Sequence, residues 1–326
     1  MNKILVIGGA GYVGSSLVPL LLENNYEVTV FDLLIYGNNL PKNNNKFNLV
    51  KGDIRDIALL KRFIINFDQV IHLACISNDP SFELNPILGK DINLDCFEPL
   101  VKICKDNGVK KFIYASSSSV YGVKSEKDVN ENSSLEPLTD YSKFKVKCEE
   151  ILLKYSSNFF STVILRPATV CGYSPRQRLD LVVNILLTQA YINNKVVVYG
   201  GDQLRPNIHI LDMIRAYLLI LKIDSKKINN KIFNVGFENR SVKNLANMAK
   251  EIVGDNVAIE FRKSDDNRSY HISSKRIKEE LGFFNKKTIK DAMIDLKNAF
   301  DKKIIKNPLS NEFYYNIKRM QSIKLK

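Results

Sequence analysis

Short, continuous runs of apolar and β-branched residues alternate with helical stretches from the start of the chain. No other feature limits the possible folds as strongly. "KILVIG" leads into a helix from Tyr12, then come "EVTVFD", "FNLVKGD", a helix from Asp56 and "QVIHLA". A helix over Phe97 to Asp106, "KKFIYASS", the helix carrying Tyr141 and "STVILRP" continue the pattern. Strands without a polar face must be covered on both sides, so these runs predict a parallel sheet with right-handed helical crossovers above and below it. The fold class is α/β, a doubly wound parallel sheet. After about Arg166 the regularity gives way to longer loops, "CGYSPRQR", "GGDQLRPN" and "RKSDDNRS", with helices between them. A smaller C-terminal α/β domain packed over the sheet edge is expected, with the units placed at 1–170 and 171–326 and the chain crossing between them after 170. The asparagine-rich Asn38 to Asn48 segment reads as a polar loop, and no internal repeat is present.

At 326 residues and 45% apolar composition the chain can bury a full core. No apolar run approaches the roughly 18 residues of a membrane span. The start, "MNKILVIGG", turns into a glycine loop where a signal peptide needs a longer apolar stretch, so a soluble, cytoplasmic protein is expected. Five scattered cysteines (Cys75, Cys96, Cys104, Cys148, Cys171) and three histidines indicate neither a disulfide framework nor a metal site. The formal charge of +13 raises the question of nucleic acid. Its lysines are spread over helix faces and loops without a nucleic-acid motif, and an anionic small substrate accounts for part of the excess. The densest basic stretch, Asp301 to Lys326, has seven Lys/Arg against two acids. Its Phe313, Tyr314 and Tyr315 are expected to pack on the body of the protein.

"LVIGGAGYVGSSL" places Gly8, Gly11 and Gly14 between the first strand and the first helix. This GxxGxxG spacing is a variant of the dinucleotide fingerprint: glycines permit a tight turn and a close backbone approach, and the helix N-terminus can then face a pyrophosphate. Asp32 ends the second strand, where a carboxylate accepts hydrogen bonds from the adenosine ribose and repels a 2′-phosphate. NAD is therefore the expected cofactor, and the sheet is of Rossmann type. A second feature is "DYSKFKVKC": Tyr141 and Lys145, four apart, share one helix face. Taken alone, such a pair is also what an ordinary amphipathic helix surface carries.

With these features in place, the chain resembles the extended short-chain dehydrogenase/reductase family in its NAD-dependent nucleotide-sugar epimerase/dehydratase branch, typified by UDP-glucose 4-epimerase. The likeness runs through "GGAGYVG", "FDLLIYG", "GDIRD", "HLA", "ASSSSVYG", "YSKFK", "LRPATVCG", "RPNIHILDM", "FNVG" and "EELGF". It implies an acid/base pair at Tyr141 and Lys145 and an orienting hydroxyl at Ser117, with the register inside Ser116 to Ser119 open by one or two positions. Lys145 is expected to lower the Tyr141 pKa from about 10 and to bond the nicotinamide ribose. The resemblance further implies cofactor contacts from Tyr12, Val13, Asp53, Ile54, Leu73, Ala74, Asn93, Ser116 and Ala168. For the substrate it implies Ser119, Thr169, Arg178, Arg205, Arg262 or Lys263, and Arg268 with Asp266 nearby. Guanidinium groups suit diphosphates because their planar donors bind bidentately.

Two departures from the family pattern bear on the reaction. Ser118 and Ser119 stand where the 4,6-dehydratases carry an Asp-Glu pair, which disfavours loss of water. Thr169 stands where many relatives have asparagine, and in the following "YSPRQRLDLVVN" Arg176 and Arg178 are expected to take over part of the phosphate binding. The implied function is epimerisation of a nucleotide sugar, at C4, through a transient ketone. The alternatives are a net dehydrogenase or ketoreductase of the same substrate class and a non-catalytic NAD sensor. The resemblance also implies a homodimer through the helices over Phe97 to Asp106 and Thr139 to Tyr155; neither nucleic acid nor membrane insertion is expected.

Overall fold

A computed structural model describes residues 3–126, 128–264 and 269–325. Six parallel strands come first: β1 (Lys3–Ile7), β2 (Glu27–Asp32), β3 (Phe47–Lys51), β4 (Gln69–His72), β5 (Lys111–Ala115) and β6 (Ser161–Pro167). The chain then passes through β7 (Thr169–Cys171), β8 (Lys195–Tyr199) and β9 (Leu204–His209) before β10 (Lys231–Val235) completes the same sheet beside β6. The seven strands lie in the order β10-β6-β5-β4-β1-β2-β3. β1 therefore sits between β2 and β4: the chain winds outward through β2 to β3 on one side and then crosses to β4 on the other. Such a reversal opens a crevice at the carboxyl ends of the strands, where doubly wound folds bind ligands.

β1 shows why continuous apolar runs form such a sheet. Ile4 and Val6 join the core on one face with Leu17, Leu21 and Tyr217, while Leu5 and Ile7 join the other with Phe31, Phe97 and Phe112. None of the four β1 residues has exposed surface. Both parities are buried, so the period-two alternation of a half-exposed strand is absent.

β7 and β9 form a small sheet with β11 (Glu238–Ser241), and β8 pairs with β12 (Ala258–Arg262). Around them the helices Val182–Asn193, Val242–Val253 and Ile289–Asp301 close a third core about Leu186, Leu245 and Leu296. Tyr314 and Tyr315 pack against this core, while Phe313 lies at the surface against Arg319. All five cysteines are free thiols, four of them buried. Among the described residues no helix is long and apolar enough to cross a membrane, and no group of side chains has the makings of a metal site.

Candidate active site

The crevice is a cleft of ≈ 340 Å³ that reaches from the glycine loop to the helix Asp140–Tyr155. At its first end each glycine meets a different constraint. Gly8 has φ +82°, and a side chain there would come within 2.4 Å of the Ala74 backbone; one at Gly14 would come equally close to the Gly9 carbonyl. Gly11 meets only the Gly8 carbonyl at 3.3 Å and leaves its other side open to the cleft. Gly8 and Gly14 are thus needed to fold the loop, and Gly11 keeps the floor of the cleft low. Tyr12 and Val13 line the cleft beside them.

Asp32 stands at the end of β2 with both carboxylate oxygens engaged, one accepting from Ala10 N (2.9 Å) and the other from Leu34 N (2.7 Å). Burial pushes its carboxyl up, and the two backbone donors and Arg176 pull it back. Asp53 and Ile54 complete this end, with Asp53 held in a fork by Arg55 at 2.6 to 3.1 Å. Leu73 and Ala74 form the wall at the end of β4, and Ala168 and Thr169 the wall after β6. A cleft with a low glycine floor, a carboxylate at one end and an apolar wall at the other suits an extended dinucleotide.

At the far end the helix Asp140–Tyr155 begins with Thr139 as N-cap, its hydroxyl accepting from Ser142 N. Tyr141, Lys145 and Glu149 follow at four-residue spacing on the inward face. All four serines of the run line the cleft with Tyr141, and Ser117 is the one whose side chain pulls the Tyr141 phenol down. One expectation is corrected here. Burial holds the Tyr141 phenol well above its ordinary value, with Cys75 and Asp79 adding to the effect, and the cation that pulls it back is Arg178. Lys145 instead donates to the Ala115 carbonyl at 2.7 Å, and its ammonium lies over the Tyr114 and Tyr141 rings at 4.9 and 5.7 Å from their centroids. In the protein alone, desolvation outweighs the lysine.

The remaining candidates divide by position. Ser116, Ser117, Ser119 and Arg178 line the cleft. The Ser116 hydroxyl, however, donates to Glu149, which forms a buried fork with Arg166 at 2.6 to 3.2 Å. Asn93 lies behind the wall, its amide bonding both the N–H and the carbonyl of Ile76 at 2.8 and 3.0 Å, so it shapes the cleft without lining it. Arg205 stands one layer back, 5.4 Å from the ring of Tyr270, and it is Tyr270 that faces the cleft. Arg262 pairs with Glu260 on the exposed strand β12, with Lys263 exposed beside it. Arg268 and Asp266 lie outside the described residues.

Several contributors escaped the sequence reading. A chain of hydroxyls runs from Ser117 to Ser119 (2.8 Å), Ser142 (2.8 Å) and Thr139 (3.1 Å), and Thr139 also bonds the buried Asp79. Tyr36 and Asn316, the latter from the last helix (Asn316–Ser322), line the cleft near Arg176. The signal available was weak: a helix-capping Thr, an asparagine in a basic tail and a tyrosine in a polar loop each have commoner explanations.

Residues 4–236 match the NAD dependent epimerase/dehydratase family. A provisionally named UDP-glucose 4-epimerase of Methanocaldococcus jannaschii is 33% identical over 261 residues, which cover 77% of this chain and 82% of that one. The dTDP-D-glucose 4,6-dehydratase of Dictyostelium discoideum is 31% identical over 278 residues, 78% of this chain and 62% of that protein. Among solved structures, the UDP-glucuronic acid 4-epimerase of Bacillus cereus, in complex with UDP-glucuronic acid and NAD, superposes with a TM-score of 0.82 at 28% identity, covering 92% of this chain and 99% of that one. The match spans the glycine loop, Asp32, the serine run and the Tyr141/Lys145 helix, so the parts of the cleft and the family pattern coincide. On both grounds the chain belongs to the NAD-dependent epimerase/dehydratase family of extended short-chain dehydrogenases/reductases.

Proposed function

We propose that the protein is a cytoplasmic epimerase that inverts C4 of a nucleoside-diphosphate sugar, working as a homodimer. The observation that carries this reading is that Tyr141, Lys145 and Ser117 line one cleft continuous with the glycine loop, with serines alone in the run that follows β5. A dehydratase needs a carboxyl group at that run to take a proton from C5 and give one to the leaving hydroxyl. The two buried carboxyls nearby are both engaged, Glu149 by Ser116 and Arg166 and Asp79 by Thr139. Elimination therefore lacks its acid and base, whereas inversion needs one proton acceptor and one proton donor, which a single tyrosine provides.

In this scheme Gly11, Tyr12, Val13, Asp32 and Asp53 hold the cofactor's adenosine half, and Leu73, Ala74, Ala168 and Lys145 its nicotinamide half. NAD, when bound, supplies the hydride acceptor and donor. Ser117 orients the sugar hydroxyl, and Tyr141 takes its proton and returns it after the ketone has turned over. Lys145, tied to Ala115, holds the base of the site rigid. Thr169 and Ser119 face the sugar. The cofactor unit is residues 1–170, with β10 added to its sheet, and the remainder carries the nucleotide.

Incubation with a panel of UDP-, GDP-, CDP- and dTDP-sugars tests the reading. An epimerase inverts a centre with no net NADH, because hydride leaves and returns within one closed site. Stoichiometric NADH with a keto-sugar product would replace this proposal with the dehydrogenase alternative.

A further inference from the structure

Two arginines in the cleft have more hydrogen-bonding capacity than the protein uses. Arg176 and Arg178 are 3% and 6% exposed, and the Nε of Arg176 and one terminal nitrogen of Arg178, Nη2, have no partner. Among the described residues only one carboxylate bonds either group: Asp180 takes Arg178 Nε at 2.8 Å, while its other oxygen accepts from Asn316 N. Arg176 has no carboxylate partner. It bonds Asn316 Oδ1 at 2.6 Å and lies over Tyr36, 3.8 Å from the ring centroid. Like charge adds to the cost, since burial and the Arg178 cation together lower the Arg176 pKa to about 10. Two adjacent guanidinium groups with buried, unpaired N–H donors are costly in a folded protein unless an anion completes them.

Their placement identifies the anion. The segment carrying them is fastened to the glycine loop. Tyr12 donates its hydroxyl to Gly172 O at 2.6 Å, Ser174 donates to Tyr12 O at 2.7 Å, and Arg176 N donates to Ser15 Oγ in the first turn of the helix Gly14–Glu23. Arg178 reaches across the cleft to Ser77 Oγ at 3.1 Å, past the end of β4. The pair thus stands over the site where a dinucleotide's diphosphate meets the helix N-terminus, between the carboxylate of Asp32 and the phenol of Tyr141.

We propose that Arg176 and Arg178 form a second grip on the cofactor diphosphate, closing from the C-terminal half of the chain over the glycine loop. The assignment rests on the NAD reading above. It also gives the last helix a task, because Asn316 bonds Arg176 and Ser77 and so links the end of the chain to cofactor binding. Planar guanidinium groups are suited to this, as each can offer two parallel donors to one phosphate.

Calorimetric titration of wild-type protein, Arg176→Gln and Arg178→Gln with NAD, ADP-ribose and adenosine tests the grip. Each variant is expected to bind NAD and ADP-ribose about 10- to 100-fold more weakly, the range for losing a hydrogen bond to a charged group, with adenosine affinity unchanged. UDP or dTDP binding to NAD-saturated protein is expected to stay as in the wild type. Loss of nucleotide binding with intact NAD affinity would assign the pair to the substrate diphosphate and overturn the proposal. An equal loss for adenosine would make the arginines packing groups, and tighter binding of NADP than NAD, abolished in Arg176→Gln, would make Arg176 a 2′-phosphate reader. A wild type that binds no NAD would instead defeat the underlying cofactor reading. Should a glutamine variant not fold, wild-type protein treated with phenylglyoxal decides: ADP-ribose should protect both arginines from modification, and adenosine should not.

Discussion

Tyr141 is where the chemistry is most exposed to test. Removing its hydroxyl leaves the ring, whose packing beside Lys145 is unchanged, so Tyr141→Phe should fold and bind NAD yet lose about 10² to 10⁴ in turnover. Near-normal activity would return the residue to the structural role its spacing also permits. Asp32 makes a separable claim: with its oxygens aimed by Ala10 and Leu34, it favours a free 2′-hydroxyl, so NAD should bind far more tightly than NADP and Asp32→Ala should narrow the gap. Equal affinities in wild-type titrations would defeat that assignment. These residues were legible because each belongs to a short motif whose geometry is local: a loop, a strand end, one turn of helix. Arg205 and Arg262 were not, because what a surface-typed arginine touches depends on partners such as Tyr270 and Glu260 brought in by tertiary structure. The charge that acts on Tyr141 was misjudged for the same reason. Lys145 is its neighbour in the helix, but Arg178 arrives from another part of the chain.

β4 and the helix Asp140–Tyr155 show how elements that position the site also carry its liabilities. His72 ends β4 directly before Leu73 and Ala74, packed against Phe97 and Tyr114 at 5.5 and 5.9 Å between ring centroids, with Nδ1 unpartnered. Burial, with help from the Lys145 cation, lowers its pKa to about 3. An unfolded histidine titrates near 6.5, so between about pH 6.5 and 3 the unfolded chain binds a proton that the folded one refuses. Stability should fall on acidification through that window by up to about 1.4 kcal/mol per pH unit. His72→Phe should flatten the decline in urea unfolding measured from pH 7 to pH 4.5; parallel slopes for the two proteins would refute the role of His72. The helix carries a second such group: Glu149 joins Arg166, Tyr121 and Asn234 in a buried network. Glu149→Ala strands the guanidinium and should cost about 3–5 kcal/mol, read as the unfolding midpoint. The strands were predictable from continuous apolar runs, and this helix from the spacing that puts Tyr141 and Lys145 on one face. The network was not, since one charged residue in a strand and one in a helix show no sign in sequence that they meet.

Across the whole molecule, the division of labour between the parallel sheet and the later segments sets what assembly can look like. The helices proposed to pair across a two-fold axis, Phe97–Asp106 and Asp140–Tyr155, are tied to each other by Lys105 to the Tyr155 carbonyl at 2.8 Å and by the Tyr155 hydroxyl to Glu98 at 3.0 Å. Five of their apolar residues point inward: Leu100, Val101, Cys104, Cys148 and Leu152 are all fully buried. The exposed positions include Glu98, Lys102, Lys143, Lys147, Glu150 and Lys154, with Phe144, Val146, Ile151 and Leu153 half-buried among them. A dimer through this face pairs the half-buried apolar residues across the two-fold axis and sets lysines against the glutamates of the second copy. Exposed charge pairs are screened once the Debye length falls to a few ångströms, as it does near 1 M salt. Light scattering at micromolar concentration should therefore show a dimer in low salt that weakens as salt rises, and Lys147→Glu should shift the same equilibrium. A monomer at low salt would refute the assembly, and a dimer indifferent to salt would place the contact on some other face of the protein.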